Sequence, residues 1–494
     1  MPGHATALLY AYPELASTDS GPKRIGNSWG IFYDVINPGK EETFKFIDDV
    51  LTEVAGLFPG QYIHIGGDEC PKDQWKKNKL CQNRINVEKL KDESGLQSYF
   101  VKRVEKIVTS KGKKLIGWDE ILEGGIAPEA TVMSWRGFEG AITAANQGHN
   151  VVMAPSNYVY LNLIQGDIDQ EPFGHTPANT LGHVYNFNPV PEEISIKNRK
   201  YILGGQGCLW TEYIQNTEMA EYMLFPRLMA LSEVYWGKAE NKNLRSFKNR
   251  MVANFYYLIA QDINVRIPKP EGLKLKNMIS KPVEVTLENP LLTCGASIRY
   301  TTDDAEPAIS SPIYKSPVKI KPGQLLKAKL FLSDKLFSET VTGYFYKFDT
   351  IAHYLDCELY NKNDITIPLV EADKPYKTIR VSDISPGICI QGTKPSVIKF
   401  IGKFKMDIGK ESKFYIKADA SFCLLFDNNI VAEKYVQAGV RTLTVIKYKP
   451  IKSDIGIVLE YAIDQGGEIL EIGNINDTGG QIPLNPDKYM MNSK

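Results

Sequence analysis

The chain has 494 residues, of which 58 are Lys or Arg and 58 are Asp or Glu, so its formal net charge is zero. That balance argues against nucleic acid or an anionic membrane surface as the main partner. No apolar run approaches the ~18–20 residues of a membrane span, and at ~100–200 residues per domain the length suggests two to four domains.

The first fifteen residues, MPGHATALLYAYPEL, lack a basic head and are broken by Pro2 and Pro13, unlike a signal peptide. In TFKFIDDVLTEVAGLF, the residues Phe44, Ile47, Leu51, Val54 and Phe58 recur at helical spacing, and Pro59-Gly60 ends the run. YIHI (62–65) reads as a short buried strand, SYFVKRVEKIVTSKG as a second amphipathic helix, and LIGW (115–118) as the next strand. Further strands are expected at 131–135, 151–155 and 201–205, with helices over 137–147, 217–235 and 243–262. Repeated βα units with short apolar strands predict a parallel sheet covered by helices.

Past IPKPEGL (267–273), which reads as a linker, the pattern changes to period-two alternation bounded by Gly, Pro and Asp. ASIRYTTD, QLLKAKLFLSD and TVTGYFYKF predict a small antiparallel β domain over 274–349. A second β-rich stretch follows over 350–476, and the Gly/Asn/Pro-rich residues 477–494 read as a loose tail. Seven Cys without any CxxC pair exclude a zinc ribbon or a dense disulfide framework. All six Trp (29, 75, 118, 135, 210, 236) and five of the six His lie in the first half, so the aromatic chemistry is concentrated there.

Each expected strand of that half ends in polar or aromatic residues. YIHI runs into Gly66-Gly67-Asp68-Glu69, LIG into Trp118-Asp119-Glu120, TVMS into Trp135-Arg136-Gly137, VVMAPSNYVY to Tyr160 and Asn162, and GGQGC to Trp210 and Glu212. A single acidic tip is simply a favourable helix start. Five such tips rich in Trp, Asp and Glu read instead as one rim, where aromatic faces stack on a pyranose and carboxylates accept its hydroxyls. Paired carboxylates also suit glycosidic cleavage. Gly66-Gly67 would let the chain turn so that the neighbours Asp68 and Glu69 both reach that rim.

HIGGDE (64–69) resembles the signature of family 20 glycoside hydrolases, the β-N-acetylhexosaminidases. MPGH (1–4), GWDE (117–120), MSWRG (133–137), YLN (160–162) and LWTE (209–212) follow in that family's order, so the resemblance covers residues 1–262. It implies an α/β plus all-β protein: a (β/α)8 TIM-type barrel over 1–265, here missing its first strands, followed by two β-sandwich-like domains. The segment 274–349 is similar to the small sandwich appended to hexosaminidases and chitobiases, and 350–476 loosely resembles a PA14-like domain.

The resemblance implies a retaining exo-β-N-acetylhexosaminidase that works through a cyclic oxazolinium intermediate, with no metal and no cofactor. Glu69 would be the general acid/base and Asp68 would hold the substrate's acetamido group. Trp118, Trp135 and Trp210 would wall the pocket, and Tyr160 would bond the acetamido oxygen. Asn162 and Glu212 would hold the far hydroxyls, with His4 and His64 in support near the acid. The partners would be N-acetylhexosamine-terminated glycans, not nucleic acid, in a periplasmic, cell-surface or secreted setting.

Two departures stand out. The family usually has Asp where this chain has Asn162, and family members carry an Asp just before MPGH, together with earlier strands. The resemblance therefore implies a chain truncated at its N-terminus relative to the family. A binding-only alternative is a catalytically impaired fragment acting as a glycan-binding protein, and a third reading takes His64, Asp68 and Glu69 as metal ligands. Among single residues, Cys70 reads as a buried filler, His175 and His183 as surface loop residues, and Trp75, within KDQWKKNK, as partly exposed. Trp29 and Trp236 read as sugar platforms or core.

Overall fold

The computed structural model describes residues 1–23, 26, 30–347, 355–361, 367–369, 373–381, 384, 395–435, 442–463, 470–475 and 481–483. Trp29 and most of the expected tail lie outside the described residues. The chain divides into two compact units, Met1–Asn162 with Asn179–Leu244, and Leu163–Ala178 with Arg245–Lys494.

The first unit is built on a five-stranded sheet of β1 (Tyr62–His64), β2 (Lys114–Trp118), β3 (Thr131–Ser134), β4 (Val151–Met153) and β5 (Ile202–Gly205). The strands lie side by side in chain order, and every neighbouring pair is parallel. Parallel neighbours need a crossover between them. The helix Glu93–Ser110 supplies it between β1 and β2, and Glu139–Asn146 between β3 and β4. In the helix Glu41–Leu57 the residues Phe44, Ile47 and Leu51 are buried, while Glu41 and Glu42 meet the positive end of its dipole. Phe58, expected on that apolar face, is exposed instead. It is the cap, and the following Pro59 forces it into an extended conformation off the helix.

The central strands carry the apolar core: Leu115, Ile116, Val132, Met133, Val151 and Met153 are all buried. The outer strands do not match the buried strands expected from their sequence. In β1, Tyr62 and His64 are exposed, and in β5 Leu203 is half exposed. Among the described residues each of these strands has a partner on one side only. Apolar content is visible in the sequence, but the number of neighbouring strands is not.

Three other expectations change. The helix expected over 217–235 is two, Thr217–Leu224 and Arg227–Trp236, because Pro226 has no N–H to donate. Trp236 is 93% exposed, which removes its core reading. His183, expected in a surface loop, lies in a helix, Leu181–Asn186, whose first turn is capped by the Thr180 hydroxyl accepting the His183 N–H at 3.2 Å.

Trp75 is the clearest reversal. It is 0% exposed and packs with Val35, Cys70, Cys81, Ile85 and Leu96, while its indole N–H donates to the Ile36 carbonyl at 2.9 Å. The short helix Asp73–Lys77 turns Trp75 inward and leaves Lys76 and Lys77 in water, so a charged neighbourhood hides a core residue. Trp75→Ala should destabilise the protein by about 3–5 kcal/mol in chemical denaturation. A change of about 0.5 kcal/mol, the scale of surface substitutions, would contradict the burial.

The second unit is β-rich. Lys276–Ile279 pairs in parallel with Val341–Lys347, which pairs antiparallel with Leu325–Phe331, and that strand with Ser297–Thr301. Farther on, a six-stranded sheet centres on Val397–Lys405 and Asp454–Ala462, and a four-stranded sheet centres on Ser412–Ala418. One apolar cluster joins their inner faces, including Phe400, Phe414, Phe422, Leu459 and Ile472. The expected linker at 267–273 is exposed only at Glu271 and Gly272: Ile267 and Lys269 are buried, as is the preceding Arg266. Arg266 Nε donates to Glu171 at 3.1 Å, and Lys269 pairs with Glu339 at 2.7 Å. Among the described residues no helix is long and apolar enough to cross a membrane.

Candidate active site

At the end of β1 the chain turns through Gly66 (φ +79°) and Gly67 (φ +95°). Both lie in the left-handed region, and a Cβ on Gly67 would stand 2.5 Å from the Ile121 side chain. Asp68 and Glu69 follow. Glu69 has φ +45° and His4 has φ +49°, conformations that non-glycine residues adopt at a cost. His4 Nε2 lies 3.0 Å from Glu69 Oε2 and 3.5 Å from Asp68 Oδ2. The hydrogen bond to Glu69 raises the His4 pKa. The stability this gives is complete below the usual histidine value and is lost as pH rises through the raised one.

His64 packs against the aromatic rim instead of pairing with either carboxylate. Its ring meets Trp118 edge-on with centroids 4.9 Å apart, and its Nδ1 accepts the Gly66 N–H at 3.1 Å. Desolvation pushes its pKa down to about 4, against the opposing pull of the Asp68 charge. The imidazole beside the acidic pair is therefore His4. His4, Asp68 and Glu69 each offer a ligand atom within 4.8 Å of the others, so these three could hold a cation.

The strand ends bring the remaining rings together. Trp118 lies 6.4 Å from Trp135 and 6.1 Å from Trp210, and Tyr160 lies 5.9 Å from Trp210. Trp135 and Tyr160 are stacked, 6.4 Å apart with 12° between their planes. Burial raises the pKa of the Tyr160 hydroxyl, with smaller contributions from Cys208 and then from the Asp68 and Glu69 charges. Both carboxylates thus share a field with the aromatic cluster. Side chains that pack on one another and leave a ring face in reach of two carboxylates can bind a sugar and exchange a proton with it.

Tyr160 and Asn162 are held by backbone pairing beyond the strands proper. Tyr160 bridges to Cys208 in parallel, and Leu161 N–H donates to the Cys208 carbonyl at 2.7 Å. Arg227, 0% exposed, donates to the carbonyls of Leu161 (2.6 Å), Met223 (2.6 Å) and Asn179 (3.0 Å). Asn162 is buried, and its Oδ1 has no hydrogen-bond partner among the described residues. Such an acceptor is costly unless something satisfies it. Glu212 sits in an exposed turn two residues past Trp210.

Asp119, Glu120 and Arg136, which the sequence puts on the rim without individual roles, tie the rim together. Asp119 accepts the backbone N–H groups of Trp135 (3.0 Å) and Arg136 (3.2 Å), and also Arg136 Nε at 2.5 Å. Glu120 Oε2 accepts the Trp135 indole N–H at 2.9 Å. Burial pushes the Glu120 carboxyl up to about 7. Their adjacency to Trp118 was the available signal. Cys70 is buried beneath the turn, and desolvation raises its thiol to about 12, which keeps it protonated and inert.

Residues 1–239 match the family described as glycosyl hydrolase family 20, catalytic domain, and residues 291–345 match Fn3 associated. A beta-hexosaminidase of Porphyromonas gingivalis is 43% identical over 345 residues, covering 67% of this chain and 42% of that protein. A beta-hexosaminidase of Vibrio furnissii is 34% identical over 240 residues, covering 47% of this chain and 38% of that protein. A solved structure of an exo beta-N-acetylglucosaminidase from Vibrio harveyi, in complex with N-acetylglucosamine, is 31% identical with a TM-score of 0.49; the match covers 54% of this chain and 42% of that one. The chain thus spans 42% and 38% of the lengths of the two curated relatives.

Proposed function

Since residues 1–239 match the catalytic domain of glycosyl hydrolase family 20, we propose that this chain carries the acid/base and the acetamido pocket of a retaining exo-β-N-acetylhexosaminidase. Its substrates are glycans ending in β-linked GlcNAc or GalNAc. In this reading the five parallel strands are an arc of a βα barrel, whose carboxyl ends form the site. The observation that carries it is the His4 imidazole, 3.0 Å from Glu69 and 3.5 Å from Asp68, beside the aromatic cluster.

Glu69 gives its proton to the glycosidic oxygen as the bond from C1 to that oxygen breaks. Asp68 accepts the acetamido N–H, which turns the acetamido carbonyl oxygen toward C1 and stabilises the positive charge that develops as that oxygen attacks. The product of this step is an oxazolinium ring. Glu69, now a carboxylate, takes a proton from the water that opens the ring at C1, so two inversions give net retention. Tyr160 donates to the acetamido oxygen, and Trp118, Trp135 and Trp210 exclude water from the pocket. Asn162 Oδ1 and Glu212 accept the far hydroxyls. No observation favours the binding-only alternative.

The test compares an aryl N-acetyl-β-glucosaminide with the matching aryl β-glucoside, using the native protein that contains these residues. The acetamido substrate should be preferred by about 10⁵-fold or more, the scale of a well-oriented intramolecular nucleophile. EDTA should leave the rate unchanged. Equal cleavage of the two substrates would end the substrate-assisted reading, and loss of activity on chelation would assign His4, Asp68 and Glu69 to a metal.

A further inference from the structure

Asp119 and Glu120 are sequence neighbours at the tip of β2, yet they hold different parts of the same rim. Asp119 fixes backbone, through the N–H groups of Trp135 and Arg136. Glu120, only 6% exposed, fixes a ring: its Oε2 lies 2.9 Å from the Trp135 indole nitrogen. That ring stacks on Tyr160 and meets Trp118 at 72°. An indole on a rim segment can pivot about two side-chain torsions, and its ring contacts alone resist sliding weakly. A directed hydrogen bond from a buried acceptor removes the pivot.

We propose that Glu120 is a positioning residue of the sugar pocket, which sets the angle of the Trp135 ring and thereby the space between Trp135 and Tyr160. This rests on the hexosaminidase reading only in saying what the space is for: the acetamido group that must lie in line with C1.

The acceptor is also titratable. The charged groups that act on it are Asp119 from its own turn and Arg136 from the segment after β3, with Arg136 Nε 3.8 Å from Glu120 Oε1. Arg136 is largely engaged elsewhere, at 2.5 Å to Asp119 and 3.1 Å to Glu123. Burial dominates and raises the carboxyl to about 7. An ionised acceptor binds an N–H more strongly than a neutral one. The Trp135 ring is therefore held more tightly above neutral pH than below it. The sign for stability is opposite: the buried group favours folding most below the ordinary glutamate range, and that contribution is lost as pH rises through about 7.

The experiment follows tryptophan fluorescence and near-ultraviolet circular dichroism of the native protein between pH 5 and 9, with KM and kcat at each end. The wild type should show a titration step near neutrality that is missing from both Glu120→Gln and Trp135→Phe. Glu120→Ala should raise KM and lower kcat by about tenfold in kcat/KM, the scale of one hydrogen bond. Glu120→Gln, which keeps an acceptor of the same size, should recover most of that loss. A neutral step that survives in Trp135→Phe, or Glu120→Gln as impaired as Glu120→Ala, would overturn the proposal. The optical titration needs no turnover, so it decides the role of Glu120 even where the hexosaminidase assay fails.

Discussion

Glu69→Gln should lower turnover of N-acetyl-β-glucosaminides by about 10²–10⁴-fold, the range that a positioned general acid contributes. The amide keeps the shape of the carboxyl and an oxygen within reach of His4, which now lies 3.0 Å from Glu69 Oε2. What it lacks is a proton to give. The loss should therefore depend on the leaving group. A dinitrophenyl glycoside departs almost unaided and should lose far less than an alkyl or sugar glycoside. Equal loss on both would mean that Glu69 does not protonate the leaving oxygen, and unchanged turnover would remove it from the mechanism altogether. Because Glu69 is partly exposed, the folded state should survive the change, and the melting temperature of the variant provides the check.

Arg227→Met should lower stability and substrate affinity together. The guanidinium donates to the carbonyls of Leu161, Met223 and Asn179. Methionine fills similar volume and donates nothing, so three buried carbonyls lose a partner. At about 1–3 kcal/mol for each group left unsatisfied, destabilisation of about 3 kcal/mol or more is expected. Two of those carbonyls lie beside Asn162 and at Asn179, where the chain leaves and re-enters the first unit. KM should therefore rise alongside the loss of stability, through Tyr160 and Asn162. Denaturant titration with parallel kinetics tests both, and a variant as stable as the wild type would show that these bonds contribute nothing net.

Much of the rim was legible because strand-end chemistry survives in one dimension. Trp118, Trp135, Tyr160 and Trp210 each follow a short apolar run, and the structure gathers their rings within 6.4 Å of a neighbour. The Pro226 break was equally readable, since a missing N–H is a local property. What stayed hidden depends on partners far along the chain. Trp75 is buried because Ile36 and Leu96 meet it, whereas its own neighbours are lysines. Arg266 and Lys269 are buried because Glu171 waits for them, 95 residues before Arg266. Glu120 looked like another hydroxyl acceptor, because nothing in GWDE says that its carboxylate points at an indole rather than at a sugar.

The left-handed backbone at both His4 and Glu69 sets the interests of the fold against those of the chemistry. At φ +49° and +45° glycine or asparagine would sit more easily than imidazole or a long carboxyl. Mutational drift that rewards thermal robustness alone would favour replacing both members of the pair, and the protein would melt higher as it fell silent. Under the proposed mechanism, an engineer screening this chain for heat tolerance should therefore hold these two positions fixed, since the substitutions most apt to pass such a screen there are the ones that would remove the proposed acid and its partner.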